Sequence, residues 1–296
     1  MSYVFSSKWG TTGSGVGQFN YPNGVALDSS SGDVYVADSG NHRIQKFRSN
    51  GTFIRTWGVE GSGNGEFKNP TRVAVDSSGN VYVTDHSNYR IQKFRNDGTF
   101  IRTWGGFGSG DGQFYAPSGV AVDSSSNVFV ADAKKHRIQK FNSGGTFIIA
   151  WGSEGPNPGQ FKYPVGVAVD SSGNVYVADE SNHRIQKFRN DGTFIRTWGV
   201  YGSGNGQFYV PSGVAVDSSS NVFVADSGNH RIQKFDSGGT FTTKWGSQGS
   251  ADGQFRNHHG VAVKSAKVSF LEERVFVADS DNYRIQVFKP KFVVNP

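Results

Sequence analysis

The chain has 296 residues, of which 35% are hydrophobic and 18% charged, and it contains 40 glycines, 24 phenylalanines and no cysteine. This composition is too aromatic for a disordered chain and too rich in glycine for a helical one, and it excludes disulfides and cysteine-based zinc or catalytic sites. The apolar runs are too short for a transmembrane helix. The net charge of +6 indicates an acidic partner only if the basic residues gather on one surface.

The first predicted strand is YVFSSKWG, and the chain around it lacks the basic and apolar regions of a signal peptide. Its tryptophan begins a series with a spacing of 47 or 48 residues: Trp9, Trp57, Trp104, Trp151, Trp198 and Trp245. An Arg-Ile dipeptide recurs with the same period. A period of this length is typical of proteins built from stacked repeats.

Each unit reads as four short strands. In the first complete unit these are GVALD, DVYVAD, HRIQKF and TFIRTWG, and segments rich in serine, glycine and asparagine separate them as turns. Six such units predict an all-β fold, a six-bladed β-propeller of four-stranded antiparallel blades, in which residues 1–296 form a single domain.

The two ends of the chain predict how the ring closes. The first segment matches only the fourth strand of a unit, whereas the last unit stops after its third strand, RIQVF. We therefore expect Val4, Phe5 and Lys8 to pair beside residues 284–288 in the sixth blade, which removes an open sheet edge. An extra segment at residues 264–274 falls between the first and second strands of that blade and should extend from the bottom face.

The stretches PNGVALD and DVYVADSGNHRIQKF resemble the NHL repeat, whose signature combines a Pro-Gly start, a Val-Ala-Asp strand end and an Asn-His-Arg-Ile turn. The resemblance recurs six times and covers essentially the whole chain, which implies the same propeller fold. Relatives include RNA-binding regulators, a peptide-amidating lyase, receptor sensor domains and uncharacterised secreted proteins. The resemblance therefore leaves the function open and is compatible with an extracellular location.

Most of the repeated polar residues favour structural roles. Four histidines, His42, His136, His183 and His230, occupy one position of different units, so they would be spread around the ring instead of converging on one metal ion. Asp38 and Arg43, like their counterparts in each unit, flank a tight turn and are expected to pair with each other. We therefore predict no metal, no cofactor and no catalytic residue.

Departures from the repeat mark the candidate ligand site. The loops that enter each blade and the turns between second and third strands share one face of a propeller, called the top face below. Arg72 replaces a glycine there, and the segment RNHHG replaces a proline and its neighbour by two histidines. The residues beside the channel mouth also vary among blades: Asn23, Arg72, Ser118, Val165, Ser212 and His259.

We predict a ligand site on this face that comprises Asn23, Arg72, His258 and His259, with Tyr21, Tyr115, Tyr163 and Tyr209 nearby. Arg72, the histidine pair and Asn23 are expected to approach one side of the mouth and to hold an anionic or polyhydroxyl ligand. The alternatives are drift at tolerant loop positions, a polar patch at the mouth, a metal or catalytic role of the histidine pair, and tyrosines that cap the core.

The sequence favours a non-catalytic binding scaffold that recognises a protein, peptide or glycan on the top face. A lyase-like or lactonase-like enzyme and an RNA-binding propeller are the alternatives. The similarity of the blades argues against one asymmetric catalytic cluster. Basic top-face residues such as Lys134 and Lys135 are balanced by acidic ones such as Glu60 and Glu154, which argues against a groove that follows phosphates. No membrane association is predicted, and the sequence does not predict the oligomeric state.

Overall fold

The computed structural model of the chain describes residues 2–265 and 273–291. Their strands form six four-stranded antiparallel sheets, arranged as the blades of a propeller around a central channel. This confirms the predicted fold class. Within these two ranges, no helix has both the length and the apolar character needed to cross a bilayer.

Each blade follows the order of the sequence from the channel outward. The first five blades comprise β2 (Pro22–Leu27), β3 (Val34–Asp38), β4 (Arg43–Phe47) and β5 (Phe53–Trp57); β6 (Pro70–Val75), β7 (Val81–Asp85), β8 (Arg90–Phe94) and β9 (Phe100–Gly105); β10 (Pro117–Val122), β11 (Val128–Asp132), β12 (Arg137–Phe141) and β13 (Phe147–Trp151); β14 (Pro164–Val169), β15 (Val175–Asp179), β16 (Arg184–Phe188) and β17 (Phe194–Trp198); β18 (Pro211–Val216), β19 (Val222–Asp226), β20 (Arg231–Phe235) and β21 (Phe241–Trp245). The sixth comprises β22 (His258–Lys264), β23 (Arg274–Asp279), β24 (Arg284–Lys291) and β1 (Ser2–Trp9). A three-residue 3-10 turn joins the second and third strands of every blade: Ser39–Asn41, His86–Asn88, Ala133–Lys135, Glu180–Asn182, Ser227–Asn229 and Ser280–Asn282.

The core lies between blades because successive side chains of a strand point to opposite faces of its sheet. In β3, Val34 and Val36 pack with the sixth blade, whereas Tyr35 and Ala37 pack with the second. All four side chains are fully buried, and each buried valine contributes on the order of 1.5–3 kcal/mol. A single blade therefore cannot bury its own faces, and the fold needs the complete ring.

The N-terminal strand closes that ring as predicted. β1 pairs antiparallel with β24, with Val4 opposite Lys289, Phe5 opposite Phe288 and Lys8 opposite Gln286. The ring of Tyr3 also stacks on Trp245 of the fifth blade, at 4.3 Å between centroids. The predicted extension at residues 264–274 lies largely outside the described residues, since residues 266–272 are not described.

The Asp-Arg pair of every blade anchors a long top-face loop in addition to its own turn. Arg43 donates from Nε to Asp38 at 2.7 Å and from its two Nη atoms to the carbonyl oxygens of Ser14, Gly15 and Gln18, at 2.7 to 2.9 Å. The loop that leads into each blade is thereby bonded to that blade's turn. These bonds place the loops and turns on one face, as expected, and hold their backbone in position.

Candidate functional site

The six inner strands surround a cavity of about 210 Å³ along the propeller axis. Valine, alanine and glycine form most of its wall, and Arg72 is the only charged residue among the described residues that line it. The glycine found at this position in the other five blades lets neighbouring inner strands approach closely: a Cβ at Gly213 would overlap the carbonyl oxygen of His259. A large side chain is therefore unusual here.

The second blade accommodates Arg72 through a second change. Thr84 stands where the other blades have alanine, and its hydroxyl accepts a hydrogen bond from the N–H of Arg72 at 2.8 Å. The same hydroxyl lies 3.2 Å from the carbonyl oxygen of Ser118 in the third blade. Thr84 thus bonds to the backbone of Arg72 and links the second blade to the third.

The Arg72 side chain crosses the channel mouth. Its Nη1 donates to the carbonyl and side-chain oxygens of Asn23 in the first blade, and its Nη2 donates to the carbonyl oxygen of Ser212 in the fifth blade at 3.0 Å. Burial lowers the pKa of Arg72 to about 10, against the opposing charge of Glu180. At neutral pH the guanidinium is therefore charged, although its bonding partners named here are neutral oxygens.

The histidine pair occupies two different environments. His258 is fully buried, stacks on Phe255 at 4.5 Å between ring centroids, and donates from Nε2 to the carbonyl oxygen of Arg231 at 2.9 Å. Burial lowers its pKa to about 3. This side chain replaces a proline within the packed base of a loop, so a ligand at the channel mouth would not reach it.

His259 lies at the mouth itself. Its side chain is half-buried, and burial together with the nearby charge of Arg72 lowers its pKa to about 3. The imidazole is therefore neutral at physiological pH. Within residues 2–265 and 273–291, its ring nitrogens have no hydrogen-bond partner.

Glu180 is a residue of the mouth that sequence reasoning did not select. It begins the turn of the fourth blade, and burial raises the pKa of its carboxyl group, against the opposing charge of Arg72. The equivalent positions hold Ser39, His86, Ala133, Ser227 and Ser280, so a carboxylate at this position is unique among the blades. That departure from the repeat is the signal by which the sequence could have identified Glu180.

The predicted tyrosines lie around the rim of the top face, away from the mouth. Tyr115 and Tyr209 each belong to an exposed cluster. The first aromatic cluster consists of Tyr89, Phe107 and Tyr115, with Phe107 centred 5.0 Å from Tyr89 and 4.6 Å from Tyr115. The second consists of His183, Tyr201 and Tyr209, with Tyr201 centred 5.1 Å from His183 and 5.6 Å from Tyr209.

The other two tyrosines occupy a different repeat position. Tyr21 packs against Tyr283 at 5.6 Å, and Tyr163 packs against His136 at 5.2 Å. Both remain about half exposed, and both have the left-handed backbone conformation, with φ of 51° and 55°. The structure thus brings Asn23 and Arg72 into contact with His259 nearby, whereas it separates the four tyrosines from this group and from one another.

The NHL repeat model matches residues 19–47, 67–94, 114–141, 161–188 and 208–235. The chain is a propeller of NHL repeats. The B-box type zinc finger protein ncl-1 of Caenorhabditis elegans is 46% identical over 50 residues, which are 17% of this NHL propeller and 6% of that protein. The match thus covers a small part of the relative's length.

Solved structures share the fold at low sequence identity. A protein of unknown function from Bacteroides thetaiotaomicron superposes with a TM-score of 0.72 at 17% identity, covering 97% of this chain and 76% of that one. Streptogramin B lyase gives 0.64 at 15% identity, covering 97% of each chain. A chain of the nidogen/laminin complex gives 0.63 at 18% identity, covering 83% of the NHL propeller and 86% of its own length. At these identities the likeness supports the fold alone.

Proposed function

We propose that this NHL propeller is a non-catalytic scaffold that recognises a protein or peptide through its top face. The observation that carries the proposal is the pair of exposed aromatic clusters, in which Phe107 is 59% and Tyr201 is 67% exposed. Large apolar side chains held exposed on a rigid surface are typical of binding sites. The hydrogen bonds from the Asp-Arg pairs already hold the backbone of these loops in position. Little conformational entropy would therefore be lost on binding.

A polypeptide fits these clusters better than a glycan does. One ring pair of each cluster packs edge to face, at 65° for Tyr89 and Phe107 and 86° for Tyr201 and Tyr209, and the other pairs are tilted. The rings of a cluster therefore do not share one flat surface on which a sugar could stack. The exposed aliphatic side chain of Val200 lies in the loop of the second cluster, and Val59 is exposed in the loop that enters the second blade. Aromatic and aliphatic side chains together match the centre of a protein interface.

The test is a selection of peptides from a random library on the immobilised protein, with glycan and RNA arrays probed in parallel. Selected peptides should lose about tenfold or more in affinity for the double variant Phe107→Ala and Tyr201→Ala. The matched control is Ile101→Ala with Ile148→Ala, which removes exposed apolar side chains from the outer strands and should leave affinity unchanged. Peptides that bind both variants equally, or binding to glycans or RNA alone, would contradict the proposal.

A catalytic role as a lyase or lactonase has one observation in its favour. Arg72, Glu180 and His259 are unlike titratable groups with shifted pKa values at one concave site, a combination found at many active sites. Turnover of a panel of lactones that falls at least about tenfold in Glu180→Gln would support it. Equal activity in the two proteins, or none in either, would reject it.

A further inference from the structure

Two side chains of opposite charge share the channel mouth without contacting each other. The side chains equivalent to Glu180 in other blades reach the first residue of the next inner strand, which for Glu180 is Pro211 in the fifth blade. Arg72 reaches the same place from the second blade, because its Nη2 donates to the carbonyl oxygen of Ser212. In agreement with this placement, the charges of Arg72 and Glu180 each affect the pKa of the other. Within residues 2–265 and 273–291, however, no carboxylate oxygen lies within 4.0 Å of the Arg72 guanidinium. Removing either charge from water has a cost that a direct ion pair would offset, and here the pair is not made.

Arg72 retains unused donors. Its Nη1 contacts oxygens of Asn23 and Thr71, and its Nη2 contacts the carbonyl oxygen of Ser212. Among the described residues, Nε has no hydrogen-bond partner, and one of the two Nη2 hydrogens is also left over. An Nε–H and an Nη2–H on one edge of a guanidinium can bind the two oxygens of a carboxylate in parallel.

Among the described residues, no donor bonds to the Glu180 carboxylate. Equivalent side chains in four blades contact the carbonyl oxygen of the first residue in the next blade's inner strand: Ser39, His86, Ser227 and Ser280. An ionised carboxylate cannot donate to a carbonyl oxygen. Within the described parts of the chain, the Glu180 side chain accepts no hydrogen bond. It therefore offers an acceptor at the mouth that suits an ammonium group.

The charge of the mouth decides which class of ligand fits. Arg72 is positive, Glu180 is negative when ionised, and His259 is neutral, with ring nitrogens that bond to none of the described residues. Glu180 would repel a simple anion, and Arg72 would repel a simple cation. This balance weakens the expectation of an anionic ligand that Arg72 and the histidine pair had raised.

We propose that the channel mouth binds a small zwitterion, namely an α-amino acid with an aliphatic side chain. Its carboxylate bonds to the free edge of Arg72, its ammonium group bonds to Glu180, and its side chain extends along the valine and alanine wall of the channel. The cavity of about 210 Å³ equals the volume of about seven water molecules in the liquid, which accommodates such a side chain. His259 supplies a further hydrogen bond at the mouth.

This site is separate from the aromatic clusters on the rim, so it does not rest on the proposed polypeptide partner. L-Leucine serves as the probe in isothermal titration calorimetry with the full chain. Two analogues each lack one charged group: 4-methylpentanoate has no ammonium group, and 3-methylbutylamine has no carboxylate. Leucine should bind at least about tenfold more tightly than either analogue, because each analogue leaves one of the two charges at the mouth unpaired.

Two variants test the assignment of the charges. Arg72→Gly and Glu180→Ser introduce residues that other blades carry at these positions, so the fold should tolerate them, and a single cooperative thermal transition would verify this. Each should weaken leucine binding at least about tenfold. Arg72→Gly should bind 3-methylbutylamine better than the parent protein does, and Glu180→Ser should do the same for 4-methylpentanoate.

The charge-selective gains separate a binding site from a purely structural role. If a variant fails to fold, the isosteric Glu180→Gln and the shorter Arg72→Gln replace it with the same expectations. Absence of leucine binding at millimolar concentration would overturn the proposal. An analogue that binds as tightly as leucine would overturn it as well. Loss of the aromatic clusters should leave leucine binding unchanged, so a failure here is distinguishable from a failure of the polypeptide proposal.

Discussion

The two aromatic clusters occupy equivalent positions two blades apart, yet their loops follow different paths. At the second cluster, Nδ1 of His183 accepts the N–H of Val210 at 3.2 Å, and Val210 has the left-handed conformation, with φ of 55°. At the first cluster Tyr89 stands in place of the histidine and offers no ring nitrogen. The N–H of Ala116 bonds to the Asp132 carboxylate at 3.0 Å instead, and this residue is not left-handed.

The hydrogen bonds that hold the two loops to their turns differ as well. Arg231 holds the loop of the second cluster through three carbonyl oxygens and contacts Asp226 at 2.7 Å, and Asn229 adds a bond to Gly202. In the third blade, Arg137 contacts two carbonyl oxygens and lies 3.4 Å from Asp132, and Lys135 replaces the asparagine. The loop of the first cluster is thus held by one carbonyl contact and one amide bond fewer, while the two blades keep the same strand order. Repeats of this kind can diversify their surface while their core stays fixed.

The largest expected effect on stability comes from removing the arginines that hold the two loops. Arg231→Ala should lower the free energy of unfolding by about 3–5 kcal/mol, because it leaves the buried Asp226 carboxylate without its cation. Arg137→Ala should cost less, since that arginine makes fewer and longer contacts. Urea denaturation followed by tryptophan fluorescence measures both. Equal losses of unfolding free energy in the two variants would show that the additional contacts of Arg231 do not contribute to stability.

An exchange at the asparagine position should produce an effect of intermediate size. Asn229→Lys should cost about 1–2 kcal/mol, because it leaves the carbonyl of Gly202 and the Asp226 carboxylate with one donor fewer. The reverse change, Lys135→Asn, should stabilise the third blade or leave it neutral. Hydrogen–deuterium exchange of the loop amides measures the local effect of each substitution. Faster hydrogen exchange in this loop of the Lys135→Asn variant would contradict the prediction for that variant.

Acidification should loosen the second cluster alone. Burial lowers the pKa of His183 below its ordinary value of 6.5. The stabilisation that the neutral imidazole provides is therefore complete above that value and is lost as the pH falls through the lowered pKa. A protonated Nδ1 can no longer accept the N–H of Val210. In proton–nitrogen NMR spectra between pH about 7.5 and about 5, the Val210 amide should shift, while that of Ala116 serves as the control. A His183→Tyr variant should abolish the shift.

The smallest expected effect concerns a cation–π contact of the first cluster, which partly compensates for the missing hydrogen bonds of its loop. The Nζ of Lys135 lies over the ring of Tyr115, 4.6 Å from its centroid. Lys135→Ala should therefore cost about 0.5–1 kcal/mol, measured by urea denaturation against Lys134→Ala in the neighbouring position. A larger cost for Lys134→Ala would rule out this role.

The sequence predicted the fold because the fold depends on residues that recur in phase. The tryptophan series and the unmatched first strand were enough to predict the pairing of Phe5 with Phe288. The candidate site was harder to predict. The substitution of proline by His258 does not reveal whether the ring faces solvent or packs against Phe255. The proximity of Arg72 and Glu180 arises across the channel, between blades that are not neighbours in the chain, so no local pattern records it.

The pairing of β1 with β24 also determines how the ring responds to mechanical force. Ser2 lies opposite Lys291, so the two ends of the described chain leave the same edge of the sixth blade side by side. A pull between these ends acts across the ladder and loads its hydrogen-bonded pairs one after another, from Ser2 toward Trp9, instead of shearing them all at once. The strand that resists thermal opening of the ring is therefore a weak point under tension.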